Sequence, residues 1–139
     1  MYKFCLETHN KIMLTRFILY GLIGLCMEVA WTGFTSFLKR DYKLTAQTSL
    51  WMFWIYGLAV FLEPFSKVLA ESPVLLRGGV YAILIFTAEY ITGWILRKID
   101  VCPWDYSQCK YNIRGLIRLD YAPLWFFAGL FFEYVATAV

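Results

Sequence analysis

Four stretches of this chain hold almost no charge, and each is long enough to cross a lipid bilayer. From Phe17 to Leu38 the only ionisable side chains are Tyr20, Cys26 and Glu28. From Leu44 to Ser66 the one acid is Glu63, with no base before Lys67. Glu89 is the only charge from Gly78 to Leu96, and Glu133 the only one from Tyr121 to Val139. Each window approaches the ~20 residues an α-helix needs to span ~30 Å of hydrocarbon. Backbone in lipid must satisfy its own hydrogen bonds, so the windows predict helices. The apolar runs are continuous rather than alternating, which disfavours a β-barrel. Composition agrees, with 60% hydrophobic residues against roughly 45–50% in a soluble domain. The first window is too long for a cleaved signal peptide, carries Glu28 and is followed by no small-residue cleavage pattern.

The expected fold is therefore all-α: one integral-membrane four-helix bundle over residues 1–139, with helices at about 14–38, 46–68, 76–98 and 120–139. Trp51, Trp54, Trp104 and Trp125 fall near window edges, where interfacial aromatics gather. Pro73, Pro103 and Pro123 fall between windows or at their starts, where a helix tolerates proline. Five basic residues (Lys3, Lys11, Arg16, Lys67, Arg77) lie on the side of the N-terminus and eight (Lys39, Arg40, Lys43, Arg97, Lys98, Lys110, Arg114, Arg118) on the other. Basic residues favour the cytoplasm, so the side holding residues 97–120 is expected to be cytoplasmic, by a small margin.

The first and third windows resemble each other. Tyr20 precedes Glu28 in YGLIGLCMEVAW as Tyr81 precedes Glu89 in YAILIFTAEYITGW, and both windows end in a basic pair followed by an acid. The second and fourth share a Trp-rich start and a Gly-Leu step towards an acid, Gly57 to Glu63 and Gly129 to Glu133. Two pseudo-repeated helix hairpins would give this pattern, as in parallel transporter repeats, and so would chance similarity between apolar helices.

Each window carries one acid, and an acid within a membrane helix costs at least ~2.5–3.5 kcal/mol. Such residues should face inward and mark a site, or fix helix packing through buried Glu–Arg and Glu–Tyr contacts. At 1.5 Å per residue, Glu28, Glu89 and Glu133 each lie roughly 10–18 Å from the side of residues 97–120, in one expected layer. Tyr20, Gly24 and Glu28 share a helical stripe, as do Glu89, Gly93 and Arg97; Arg97, Arg114 and Arg118 are candidate partners for the acids. Residues 101–112, VCPWDYSQCKYN, emerge on that side. They read as an interfacial segment folded back towards the acids. Pro103 would break the third helix, Trp104 would anchor at the headgroups, Asp105 would cap a turn and Tyr106 would donate to a Glu. Ile113, Leu116 and Ile117 would then face lipid on a short amphipathic stretch. A capped connecting loop that merely orders its helices accounts for most of the same residues.

Much chemistry is missing. His9 is the only histidine, which removes most zinc and haem sites; a carboxylate-only cation site stays open. There is no phosphate-binding Gly-rich loop, no GxSxG and no basic–aromatic cluster suited to nucleic acid. Cys5 and Cys26 have no spacing signal, and Cys102 and Cys109 are not a CxxC pair; a bridge between the latter two would require an oxidising compartment. No cofactor is expected, and no nucleophile–base pair points to an enzyme.

VCPWDYSQ, preceded by ITGWILRK and followed by GLIRLDYAPLWF, resembles the transmembrane protein 229 family, itself similar to bacterial proteins described as type-IV ABC transporter permeases. SLWMFWIYG, Leu75-Leu76-Arg77 and the acids Glu28, Glu89 and Glu133 extend the resemblance over nearly all of Tyr20 to Glu133. Cys109 departs from it. The resemblance implies a four-helix integral membrane protein and leaves the activity open. Three functions fit. In the first, a transporter- or channel-like homo-oligomer binds a cationic or polar solute at Glu28, Glu89 and Glu133, with Trp104, Asp105 and Tyr106 as lid and Arg97 and Arg114 nearby. In the second, the chain binds or modifies lipid at headgroup depth, with Arg114 and Arg118 on a phosphate. In the third it is a structural subunit whose acids pair with a partner's bases.

Overall fold

The computed structural model describes residues 2–139, and side chains from residue 6 onward, so Lys3 and Cys5 lie outside the described side chains. The chain is 72% helical, which leaves no room for a β-barrel. It divides into two compact units, Met1–Val60 and Phe61–Val139.

The first unit packs helix α1 (Tyr2–Leu38) against α2 (Leu50–Gly57). Glycine makes the close approach. A Cβ on Gly24 would come within 2.2 Å of Tyr56 Cβ, and one on Gly21 within 2.7 Å of the Phe53 ring. Phe17 fills the space over Gly57 and meets Phe53 edge-on, with ring centroids 6.2 Å apart. Small residues facing large aromatics let membrane helices interlock where lipid supplies no hydrophobic drive.

The second apolar window is not one helix from residue 46. Ser49 caps α2, its hydroxyl accepting the Trp51 N–H at 3.3 Å, and α2 ends at Gly57. The chain then tightens into a 3-10 turn, Leu58–Leu62, before α3 (Glu63–Val68). Pro64 stands in the first turn of α3. It has no N–H to give to the carbonyl four residues back, and its ring crowds that carbonyl.

The second unit packs α4 (Val74–Lys98) against α5 (Ala122–Ala138). Gly78 accepts the Phe126 ring, and Gly129 accepts Tyr81, whose Cβ lies 2.3 Å from where a glycine Cβ would sit. Between the helices, β1 (Asn112–Ile113) and β2 (Ile117–Arg118) pair antiparallel, and a 3-10 turn, Leu119–Tyr121, leads into α5. α1 and α4 are long and apolar enough to cross a membrane. α5 has 17 residues, at the lower end of the ~17–25 that span.

Pro103 does not stop the third window. α4 ends at Lys98; Asp100 takes a left-handed conformation (φ 58°) and Val101 N–H bonds back to Leu96 O at 2.9 Å. α1 ends the same way, with Arg40 left-handed (φ 66°) and Asp41 N–H on Ser36 O at 3.0 Å. Both are Schellman closures, with a charged residue where glycine is usual.

Candidate functional site

Glu89 is the one buried charged residue among those described, 8% exposed. One carboxylate oxygen accepts the Tyr106 hydroxyl at 3.3 Å. The other has no hydrogen-bond partner. The Trp125 indole N–H lies beside this carboxylate but outside hydrogen-bond geometry, and it too is buried without an acceptor. An unpaired carboxylate oxygen in an apolar interior is costly, so this is where a donor or cation gains most by arriving. Tyr106 in turn stacks edge-on against Tyr121, which stacks on Trp125. Tyr106 and Trp125 thus flank the acid, with Tyr121 stacked between them.

The loop that carries Tyr106 is tightly built. Ile113 to Leu116 form a turn in which Arg114 (φ 53°) and Gly115 (φ 67°) are both left-handed, closed by Leu116 N–H on Ile113 O at 3.0 Å. Paired positive φ values define the hairpin turn whose twist matches its strands. Gly115 has no alternative: a Cβ would fall 2.3 Å from Ser107 Oγ and 2.7 Å from Asp105 Oδ1. Asn112 Oδ1 accepts the Gly115 N–H at 2.8 Å. Arg97, at the end of α4, donates to Arg114 O at 2.6 Å and Gly115 O at 3.1 Å, and pairs with Asp105 at 3.4 Å. Tyr106 N–H bonds to Gly115 O at 2.9 Å, which sets the ring over Glu89. Asp105 accepts the Ser107 hydroxyl at 2.5 Å and N–H at 3.0 Å. These two bonds, with Arg97 behind them, hold its carboxyl below the usual carboxylate range.

Other expectations are corrected. Trp104 is half-buried, with its ring packed on Gly93 and its indole donating to Leu116 O at 2.9 Å. Ile113 is exposed as expected, but Leu116 and Ile117 are buried, so no amphipathic stretch lies on lipid there. Cys102 and Cys109 are free thiols. Arg118 is taken by Asp120, with bonds of 2.7–3.0 Å, which raise the guanidinium's pKa and lower the carboxylate's. Arg114 reaches the Tyr90 hydroxyl at 3.1 Å rather than an acid.

Glu89 and Glu133 do not share a layer. Glu133 accepts the Tyr81 hydroxyl at 2.9 Å and lies 3.4 Å from Arg77 Nε, an ion pair without hydrogen-bond geometry. Those partners come two and three turns before Glu89 on α4, about 12–18 Å along its axis. Arg77 stands in the first turn of α4, one turn ahead of Tyr81. Glu28, in the first unit, is half-buried and accepts the Thr48 hydroxyl at 3.2 Å. Among the described residues no group of three His, Cys, Asp or Glu side chains could hold a metal ion.

Residues 15–139 match a family model described as "Putative ABC-transporter type IV". No solved structure matches the chain.

Proposed function

The chain belongs to this type IV ABC-transporter family, and on that premise we propose that it binds a cationic or hydroxyl-bearing solute at Glu89, beneath the loop of residues 102–112. As a helical membrane protein of a transporter-like family, it has a natural use for a buried acid with one open oxygen. That open oxygen is the observation that carries the reading. Tyr106 is the cover: its hydroxyl bonds Glu89 and its ring is set by the loop. Trp104, Asp105, Arg97 and the Arg114 carbonyl act through it, by positioning the loop.

All four helical segments cross the membrane in this reading, and residues 97–120, with the larger share of basic residues, face the cytoplasm. Two hairpins enclose little room, which favours a homo-oligomer. The 139 residues contain no phosphate-binding Gly-rich loop, so ATP hydrolysis would have to come from outside them. Kinship with the narrower transmembrane protein 229 family rests on VCPWDYSQ and GLIRLDYAPLWF. Glu28 and Glu133 have closer hydrogen-bond partners, Thr48 at 3.2 Å and Tyr81 at 2.9 Å, and serve packing first.

The test is native mass spectrometry of the detergent-purified protein beside Glu89→Gln, followed by uptake of guanidinium and small ammonium cations into liposomes. The wild type is expected to carry an extra mass and to take up the cations, and the variant to insert normally but do neither. Equal uptake by both proteins would remove Glu89 from the solute path. The same spectra report the oligomeric state.

A further inference from the structure

A groove runs along the second unit where α4 meets α5. Its apolar part, about 460 Å³, is lined by Gly79, Ala82, Ile83 and Phe86 of α4 and by Phe126 and Phe127 of α5. It continues past the shared residues Ile83 and Phe86 into a second hollow of about 290 Å³, where Thr87, Tyr90, Ile117 and Leu119 join the walls. Ile83 and Phe127 are each 67% exposed, and a Cβ on Gly79 would touch nothing within 4 Å. The groove is thus open space beside a helix rather than a packed seam.

Its two ends differ chemically. From Gly79 to Tyr90 the walls are largely hydrocarbon, over about 16 Å of helix, about half the ~30 Å core of a bilayer. At the Tyr90 end, the phenol accepts a hydrogen bond from Arg114 Nη1 at 3.1 Å. Its own proton and the remaining guanidinium donors stay available there. Arg97 fixes the Arg114 backbone, so the guanidinium is held at that end by a turn of defined shape. No acid pairs with Arg114 within salt-bridge distance among the described residues, whereas Arg77, Arg97 and Arg118 each have one.

We infer that this groove binds an anionic glycerophospholipid, with one acyl chain along Gly79–Phe86 and the phosphate on Arg114 and Tyr90. An apolar trough of about 16 Å ending in one unpaired guanidinium and a phenol matches that amphiphile in both length and charge. Guanidinium binds phosphate through paired donors, and basic residues at the membrane surface favour anionic lipids. The site is separate from Glu89 and stands without the solute reading.

The experiment titrates detergent-solubilised protein with phosphatidylglycerol and counts bound lipid by native mass spectrometry. Diacylglycerol serves as the control without phosphate, and inorganic phosphate as a competitor. Arg114→Gln removes a charge-assisted contact and is expected to weaken binding about tenfold. Gly79→Leu fills the trough without colliding with the fold and should weaken it comparably; Ile83→Trp, at an exposed wall, is the second filling variant. Glu89→Gln should bind the lipid as the wild type does, which separates this site from the solute site. Loss with Arg114→Gln alone, together with competition by inorganic phosphate, would mean a free-anion site and overturn the lipid. Loss with the filling variants alone, or equal binding of diacylglycerol, would overturn the phosphate contact. No loss with any of them would overturn the site.

Discussion

The two hairpins are built on one plan and differ most in how their helices are joined. Both first helices end in a Schellman closure with a charged left-handed residue, Arg40 in one and Asp100 in the other. Both seat large aromatics in glycine gaps. The joint after α1 is eleven residues that stay close to the helix: Ser36 donates to Thr45 O at 2.6 Å, Thr32 accepts the Gln47 N–H at 3.0 Å, and Thr48 reaches Glu28. The joint after α4 is about twice as long and folds into a β-turn clamped by Arg97. It sends Tyr106 over a deeply buried acid. The first hairpin leaves its acid half-buried under a hydroxyl, while the second walls it with aromatics and leaves one oxygen unpaired. Glu28 and Glu89 thus acquire different chemistry from the segment that follows each helix.

The shared packing can be broken in either unit. Gly24→Leu and Gly129→Leu push a side chain into Tyr56 Cβ and Tyr81 Cβ, atoms fixed to the facing helix. Overpacking of this kind costs about 1–3 kcal/mol, and more where backbone must move. Thermal unfolding in detergent should show both variants strongly destabilised, and to a similar degree. A mild effect in one alone would mean that its hairpin is loosely packed.

The difference between the joints can be isolated at Arg97. Arg97→Lys keeps the charge but loses the fork that holds two carbonyls and Asp105, worth about 1–2 kcal/mol locally. Hydrogen exchange should speed up over residues 104–116 and stay unchanged over 41–48. Unchanged exchange in 104–116 would show that Trp104 and Asn112 hold the loop without Arg97.

The smallest effect is on pH response, where the joints should agree. The Asp41 carboxyl is lowered by the Thr45 hydroxyl and then the Lys43 N–H, and Asp105 by the Ser107 hydroxyl and N–H. A lowered folded pKa stabilises fully above the unfolded value of ~3.9 and loses that contribution as the pH falls through the folded one. The amide resonances of Lys43 and Ser107 should therefore titrate with midpoints below ~3.9. A midpoint at or above it for either would mean that its cap is open in solution.

Helix content and placement were readable because lipid-length runs with single acids leave few other folds open. The break at Gly57–Leu62 could have been read from Pro64, since a missing N–H and a crowded ring act locally. Contacts across distance were not readable. Nothing in the order of residues pairs Arg77 with Glu133, turns Arg114 towards Tyr90, or leaves Trp125 beside Glu89 without bonding it. The pairing of Tyr106 with a glutamate could be anticipated as chemistry, but its choice of Glu89 depends on the Arg97 clamp and the Gly115 turn.

By itself, then, the sequence determined helices suited to a membrane, their glycine contact faces and one acid in each apolar window, because hydropathy, helix period and proline act within a few residues. Tertiary structure decided which acid is buried and open and which is neutralised by a neighbouring base. Those states depend on where an arginine fork and a tight turn bring distant side chains together, and desolvation makes a shift of a few ångströms decide between a paired charge and an unpaired one.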